Sequence, residues 1–216
     1  MKVKICLILL TSISLITSFS CKKEAKCDCS LDSIKVAKVF QPDASLGKEA
    51  IIETIAPDQN FGSEPFLTIF SWTNSGTFNT ARSLIAFDLT SIPSQTTIKT
   101  AKLFLYWNTY QNLTEHTGEN AFTLYKISQP WDENSVTWNN QPAITRSDSV
   151  IVAKSASVNQ SYGIDVTRLV QGMINTPTNN YGFMLKLEQE FPYRLVILTS
   201  SDYSDVGKRP KLVVYY

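Results

Sequence analysis

Apolar stretches of strand length recur along this chain between polar turn clusters, at residues 50–55, 66–70, 84–89, 101–107, 122–127, 150–153, 182–187, 195–199 and 212–216. The separating segments 56–60, 73–76, 117–120 and 176–180 are rich in Pro, Gly, Asn, Asp and Thr, which favour turns. Where the alternation is strict it assigns faces: Phe183, Leu185 and Leu187 point one way, as do Leu212, Val214 and Tyr216. By the same rule Ile85, Phe87 and Leu89 oppose Leu84, Ala86 and Asp88. A helical period is confined to residues 165–174, where Leu169, Val170 and Met173 share a side and Asp165 is placed to cap the first turn. The pattern predicts an all-β domain, an antiparallel two-sheet β-sandwich of jelly-roll type with one short helical turn in a crossover.

One segment departs from simple alternation. Residues 131–142 read WDENSVTWNNQP. Trp131 can bury its ring while its indole N–H meets a carbonyl, and residues 135–138 have the β-branched and aromatic composition of a strand. Asn139 and Asn140 then turn the chain, and Pro142 blocks continuation of a ladder. This segment resembles the W-x-E-x-x-V-T-W-N-N-x-P signature of the DNRLRE-type domains, secreted bacterial β-sandwiches classed among carbohydrate-binding modules. Five further stretches are similar to that family in the same order: Asn60-Phe61-Gly62 with Leu67, residues 82–89, residues 98–106, residues 163–171, and Tyr181-Gly182-Phe183 followed by Arg209-Pro210-Lys211-Leu212 with Tyr215 and Tyr216. The string DNRLRE itself is absent. The resemblance spans residues 38–216 and implies a sandwich that binds polysaccharide.

The N-terminus has a different character. Met1-Lys2-Val3-Lys4 is basic, residues 5–10 are apolar, and a Thr, Ser, Ile and Leu run ends at Ser20-Cys21, the layout of a secretory signal. A cysteine after a small residue resembles a bacterial lipoprotein site, with Cys21 lipidated, although Ser18 stands where Leu is usual. Residues 1–20 are then a signal peptide, and residues 21–37 a lipidated Cys and flexible tether, charged, small and aperiodic. Lys22 after the cysteine resembles a signal for the bacterial outer membrane. Several acyl chains, each contributing roughly 0.8 kcal/mol per buried CH₂, would hold the protein to a membrane. Without residues 1–20, which carry Lys2 and Lys4, eighteen basic residues face nineteen acidic ones, a formal net charge of −1. Such a chain has no basic patch for nucleic acid. Cys27 and Cys29 lie in the tether, and two ligands one residue apart do not make a tetrahedral metal site.

Catalytic signatures are wanting: no G-x-S-x-G elbow, H-E-x-x-H, P-loop or dinucleotide fingerprint occurs, and His116, the only histidine, sits in a polar stretch where solvation is expected. Asp88, Asp132, Glu133, Asp165, Glu188 and Glu190 supply carboxylates from which a glycosidase pair could be drawn. Glu133 and Asp165 fall in turn motifs, where accepting backbone N–H bonds explains them.

Sugar recognition sets aromatic faces against the C–H faces of pyranose rings, with polar groups on the hydroxyls. In residues 101–108, Ala101, Leu103, Leu105 and Trp107 share one face and Lys102, Phe104, Tyr106 and Asn108 the other. With the first face in the core, Phe104 and Tyr106 form an outward stripe and Trp107 emerges at the strand end. Trp72, expected just beyond a strand, and Tyr110, in the following loop, complete the aromatic candidates, with Asn108, Gln111 and Asn112 as hydrogen-bonding neighbours. Trp131 and Trp138 are assigned to the scaffold. Sandwiches of this general kind often carry a structural Ca²⁺, which takes six to eight oxygens; Glu53, Asp58, Asp202 and Asp205 near strand ends are candidates, although no D-x-D-x-D-G loop is present. The sequence therefore reads as a non-catalytic, lipid-anchored surface module that binds polysaccharide. The alternatives are an adhesion protein contacting another envelope protein, and a lyase or hydrolase working through surface acids.

Overall fold

Most of the expected strands form, with shifted ends, in the computed structural model, which describes residues 37–108 and 114–216. They are β1 (Ala37–Phe40), β2 (Glu49–Glu53), β3 (Phe66–Asn74), β4 (Thr77–Ile85), β5 (Thr100–Leu105), β6 (Phe122–Ile127), β7 (Ile144–Val152), β8 (Tyr162–Asp165), β9 (Phe183–Leu187), β10 (Arg194–Thr199) and β11 (Lys211–Tyr215). All named pairings are antiparallel. A four-stranded sheet runs β1-β11-β5-β8; a seven-stranded sheet runs β10-β3-β4-β9-β6-β7, with β2 beside β4. The result is the expected two-sheet sandwich with a short helical segment, and Lys35–Tyr216 forms one unit. Among the described residues no helix is long and apolar enough to cross a membrane. The expected signal, Cys21 and the tether to residue 36 lie outside the described residues.

Between the sheets lies one large core. Leu103, Leu105, Leu212 and Val214 from the smaller sheet meet Ile85, Phe122, Leu124, Phe183 and Leu185 from the larger. Burying such side chains contributes about 1.5–3 kcal/mol each, which makes the period-two pattern decisive for register. Ile85, Phe87 and Leu89 join this core as expected. Leu84 and Ala86 face the other way, yet they too are buried, in a second cluster with Ala50, Ile52, Trp131, Val136 and Met184. The 131–142 segment thus lies over the outer face of the larger sheet and seals it.

That segment is a loop; residues 135–138 do not form the strand their composition suggests. Its backbone groups bond elsewhere: Val136 N–H donates to the Asp132 carbonyl (2.9 Å), Thr137 N–H to Asn140 Oδ1 (2.6 Å), and Asn140 Nδ2 to the Ser135 carbonyl (2.9 Å). The Trp131 indole donates to the Tyr181 carbonyl at 2.8 Å. Asn60 Nδ2 reaches the Glu133 and Val136 carbonyls at 2.7 and 2.8 Å. Gly62 lets the chain pass so close that a Cβ there would stand 2.2 Å from the Glu133 carbonyl oxygen. Two stretches that resemble separate family motifs therefore form one joint.

Other differences are local. The helix α1 (Thr167–Asn175) starts after Asp165, its N-cap position is Val166, and no side-chain cap is made. Asp165 Oδ1 instead accepts from Thr167 N–H (2.9 Å) and Oγ1 (2.6 Å) in a turn just ahead of it. Residues 86–89 follow the β4 strand rather than belonging to it, and β1 and β8 are strands the apolar runs did not mark.

Candidate functional site

The β3–β4 hairpin turns through Ser75 (φ 49°) and Gly76 (φ 82°), both left-handed, the two-residue connection whose twist matches paired strands. Because pairing runs to Asn74↔Thr77, Trp72 lies within the strand and not beyond it. Phe70, Trp72 and Asn74 share a face; Trp72 stands opposite Asn79 on β4, and Phe70 opposite Leu195 on β10. These residues, with Thr73 and Ser75, line an open cleft of about 350 Å³. Asn79 is fixed from behind, its amide donating to Glu53 Oε2 at 3.1 Å and accepting from Thr54 Oγ1 at 3.1 Å.

Tyr193 joins Trp72 from the β9–β10 connection. The rings lie 5.1 Å apart at 88°, edge to face, and the Tyr193 hydroxyl meets Thr73 Oγ1 at 3.4 Å. Trp72 remains 38% exposed and Tyr193 56%. Tyr193 adopts φ 66°, a costly conformation for a bulky residue. Gly118 makes this possible, since a Cβ there would lie 2.2 Å from the Tyr193 carbonyl oxygen. Sequence alternation could not reveal Tyr193, because it sits in a loop with no period; its one signal was a second aromatic, Phe191, in the same short connection.

The second group of aromatic candidates lies on the outer face of the smaller sheet. Lys102, Phe104 and Tyr106 alternate with buried Ala101, Leu103 and Leu105, as expected. The rings are already attended by cations: Lys211 Nζ lies 5.2 Å and Lys102 Nζ 5.5 Å from the Phe104 centroid, and Lys211 Nζ 5.9 Å from that of Tyr106. Trp107 is half-buried, its backbone bridged to Leu198. Asn108 is 2% exposed and so is no part of an accessible platform. Tyr110, Gln111 and Asn112 lie outside the described residues.

Of the four expected calcium ligands, three have partners of their own. Glu53 holds Asn79, Asp58 accepts from Asn139 Nδ2 at 2.8 Å, and Asp205 accepts from Gly207 N–H at 2.9 Å. Asp202 lies instead near Glu49 and Glu133 and acts on the charge of both. No group of three or more His, Cys, Asp or Glu side chains is arranged to hold a metal ion among the described residues.

The candidate acids are likewise engaged. Glu190 makes a two-pronged pair with Arg82 (2.7 and 2.9 Å), and Arg82 also lies 4.4 Å over Trp138 and donates to Gln141. Glu188 accepts from Thr123 Oγ1, Asp88 from Thr90 N–H, and Asp132 from Asn134 N–H. Glu133 accepts the Glu49 N–H at 2.7 Å, the backbone role its turn context implied. His116 is buried, not solvated. Its Nδ1 accepts from Ile197 N–H (3.2 Å) and its Nε2 meets the Gln160 carbonyl (2.8 Å), so Nε2 carries the proton, and burial holds the ring below the usual histidine range.

A β-sandwich with the exposed Trp72 and Tyr193 rings beside an open cleft has the build of a binding module. The chain belongs to carbohydrate-binding module family 96, whose model matches residues 44–216. The family is one of binding modules. No curated protein matches the chain.

Proposed function

We propose that this chain binds polysaccharide in the Trp72–Tyr193 cleft. The observation that carries the reading is the near-perpendicular pair of exposed rings, 5.1 Å apart, beside an open cleft of about 350 Å³. Two such faces follow the twist of a glycan chain, while Thr73, Asn74 and Ser75 offer hydroxyl and amide groups to its edges. The sheet face around Phe104 is the weaker platform, because Lys102 and Lys211 would have to leave its ring before a sugar could stack. Motif order, with WDENSVTWNNQP at its centre, supports a DNRLRE-type domain within the family. The basic start, apolar run and Ser20-Cys21 junction support lipidation at Cys21 and an outer-membrane location, which would display the cleft on a surface.

Affinity electrophoresis against a panel of neutral and acidic polysaccharides tests the binding. Trp72→Ala and Tyr193→Ala are each expected to weaken retention at least about tenfold, as for an aromatic hot spot, with Phe104→Ala close to wild type. Retention of no polysaccharide, or full retention by Trp72→Ala, would reject the cleft. Fatty-acid labelling that survives Cys21→Ser would reject the anchor.

A further inference from the structure

The β10 strand pairs along one edge with β3. Its other edge presents the backbone groups of Leu195, Ile197 and Thr199, and each finds a different partner. Leu195 exchanges bonds with Thr117, its N–H donating to the Thr117 carbonyl (3.0 Å) and its carbonyl accepting from the Thr117 N–H (2.9 Å), while Thr199 N–H donates to the Tyr106 carbonyl (2.9 Å). Between them, Ile197 N–H donates to a side chain, at His116 Nδ1 (3.2 Å). An imidazole nitrogen stands where a neighbouring strand would put a carbonyl oxygen.

One form of the ring alone can do this. Nε2 donates to the Gln160 carbonyl at 2.8 Å, so Nδ1 keeps its lone pair. A second proton would turn Nδ1 into a donor facing a donor and put a cation on a residue 4% exposed. The titratable group facing the ring is Tyr162 of β8, with centroids 5.7 Å apart. Glu115, next in the chain, is exposed, Lys154 is paired with Glu119 (2.6 Å), and Arg194 of β10 is held by the Gln189 carbonyl (2.8 Å). Residues 155–160 and Leu195 to Thr199, which supply the ring's partners, carry no charged side chain. Burial accordingly holds the ring below the usual histidine range.

The segment that His116 fastens reaches the cleft within two residues. Thr117 makes the bridge to Leu195, which lines the cleft, and Gly118 lies against the Tyr193 carbonyl. Asn120 closes the turn, its N–H donating to the Gly118 carbonyl (3.0 Å) and its Nδ2 to the Leu195 carbonyl (3.1 Å). We infer that His116 is a positioning residue for the Trp72–Tyr193 cleft: its neutral ring latches residues 114–118 to the edge of β10, so keeping Tyr193 in place, and acid releases the latch. The role rests on that cleft being the glycan site. The latch itself is a property of the free protein.

Amide hydrogen exchange on the full chain, corrected for the intrinsic pH dependence of exchange, tests the latch without ligand. A released histidine takes its proton near the ordinary 6.5 and the fastened one only below it, so the fastened state is favoured above that pH and weakens as pH falls. Protection of the Ile197, Leu195 and Thr117 amides should therefore fall together, about tenfold between about pH 7.5 and about pH 5.5. His116→Asn sets Oδ1 in the place of Nδ1 as an acceptor that does not titrate, and its profile should be flat. In affinity electrophoresis near neutral pH, His116→Ala should weaken polysaccharide retention at least about fivefold, with His116→Asn recovering most of the loss. A flat wild-type profile, the same slope in His116→Asn, or a response confined to Ile197 would overturn the latch, and the wild-type profile decides even if a variant folds poorly. Full retention by His116→Ala would overturn its role at the cleft. No retention by the wild type would remove the cleft reading and this role with it, a failure told apart from the others by an intact exchange contrast.

Discussion

Asn60→Ala should unfasten the joint between the Asn60-Phe61-Gly62 turn and the 131–142 loop. The side chain donates to the Glu133 carbonyl (2.7 Å) and the Val136 carbonyl (2.8 Å), and its Oδ1 accepts from Gly62 N–H (3.2 Å). Three bonds at about 0.5–1.5 kcal/mol each give about 1.5–4.5 kcal/mol in all, and the part-buried carbonyls left behind keep the loss from the low end, at about 3 kcal/mol. For a domain of this size that corresponds to a Tm lower by about 6–12 °C. Urea unfolding followed by tryptophan fluorescence measures the loss, with an unchanged m-value showing that the native fold persists. Asn139→Ala is the control: it removes an exposed bond to Asp58 in the same loop, and about 1 kcal/mol or less is expected. Equal losses in the two variants would refute the claim that Asn60 couples the motifs.

Three further outcomes follow from particular contacts. Stability should fall as pH rises from about 4.5 to about 7, because Glu49 holds its proton to about 7 when folded and only to the ordinary 4.5 when unfolded, so the folded state binds more protons across that window. The effect is about 3 kcal/mol at most; pH-dependent urea melts read it, and a rise in stability attributable to Glu49, as the difference from Glu49→Gln, would contradict it. Gly118→Ala forces a Cβ to 2.2 Å from the Tyr193 carbonyl at a φ of 69°, so polysaccharide retention should drop with Tyr193 displaced, and unchanged retention would separate Tyr193 from the site. Phe122→Ala empties a fully buried position and should cost about 3–5 kcal/mol in urea melts; a cost under about 1 kcal/mol would mean the two sheets do not pack through it.

The alternation in β5 and β11 was legible because each strand has one face in the core and one outside it, so the side-chain period maps directly onto burial. It became misleading where both faces are covered: Leu84 and Ala86 look like the solvent side of a strand, yet the 131–142 loop lies over them. Within that loop, strand composition at residues 135–138 lost to side chains, since Asn60 and Asn140 take the backbone groups a ladder needs. The β8 strand was overlooked because Gly163 and Asp165 occupy its outer positions, leaving only Tyr162 and Ile164 to show a pattern. At the proposed site, Trp72 was accessible to reasoning as an aromatic beside a turn. Tyr193 was not, because its position depends on a left-handed backbone and on a glycine seventy-five residues earlier in the chain.

The most patterned part of the chain and the proposed binding surface are therefore different places, and hydrogen-bond capacity explains why. In the 131–142 loop the Trp131 indole, the Asn140 amide, the Glu133 carboxylate and the Arg82 guanidinium beside Trp138 all have partners within the protein. A sugar hydroxyl arriving there would have to break one bond for each it formed, with little net gain. Across the β3–β4 hairpin the balance reverses: the Trp72 and Tyr193 rings keep much of their surface in water, so a pyranose face gains burial on contact without displacing an internal partner. Pattern in this sequence marks where the protein binds itself, and the proposed glycan site draws on the exposed residues the pattern leaves free.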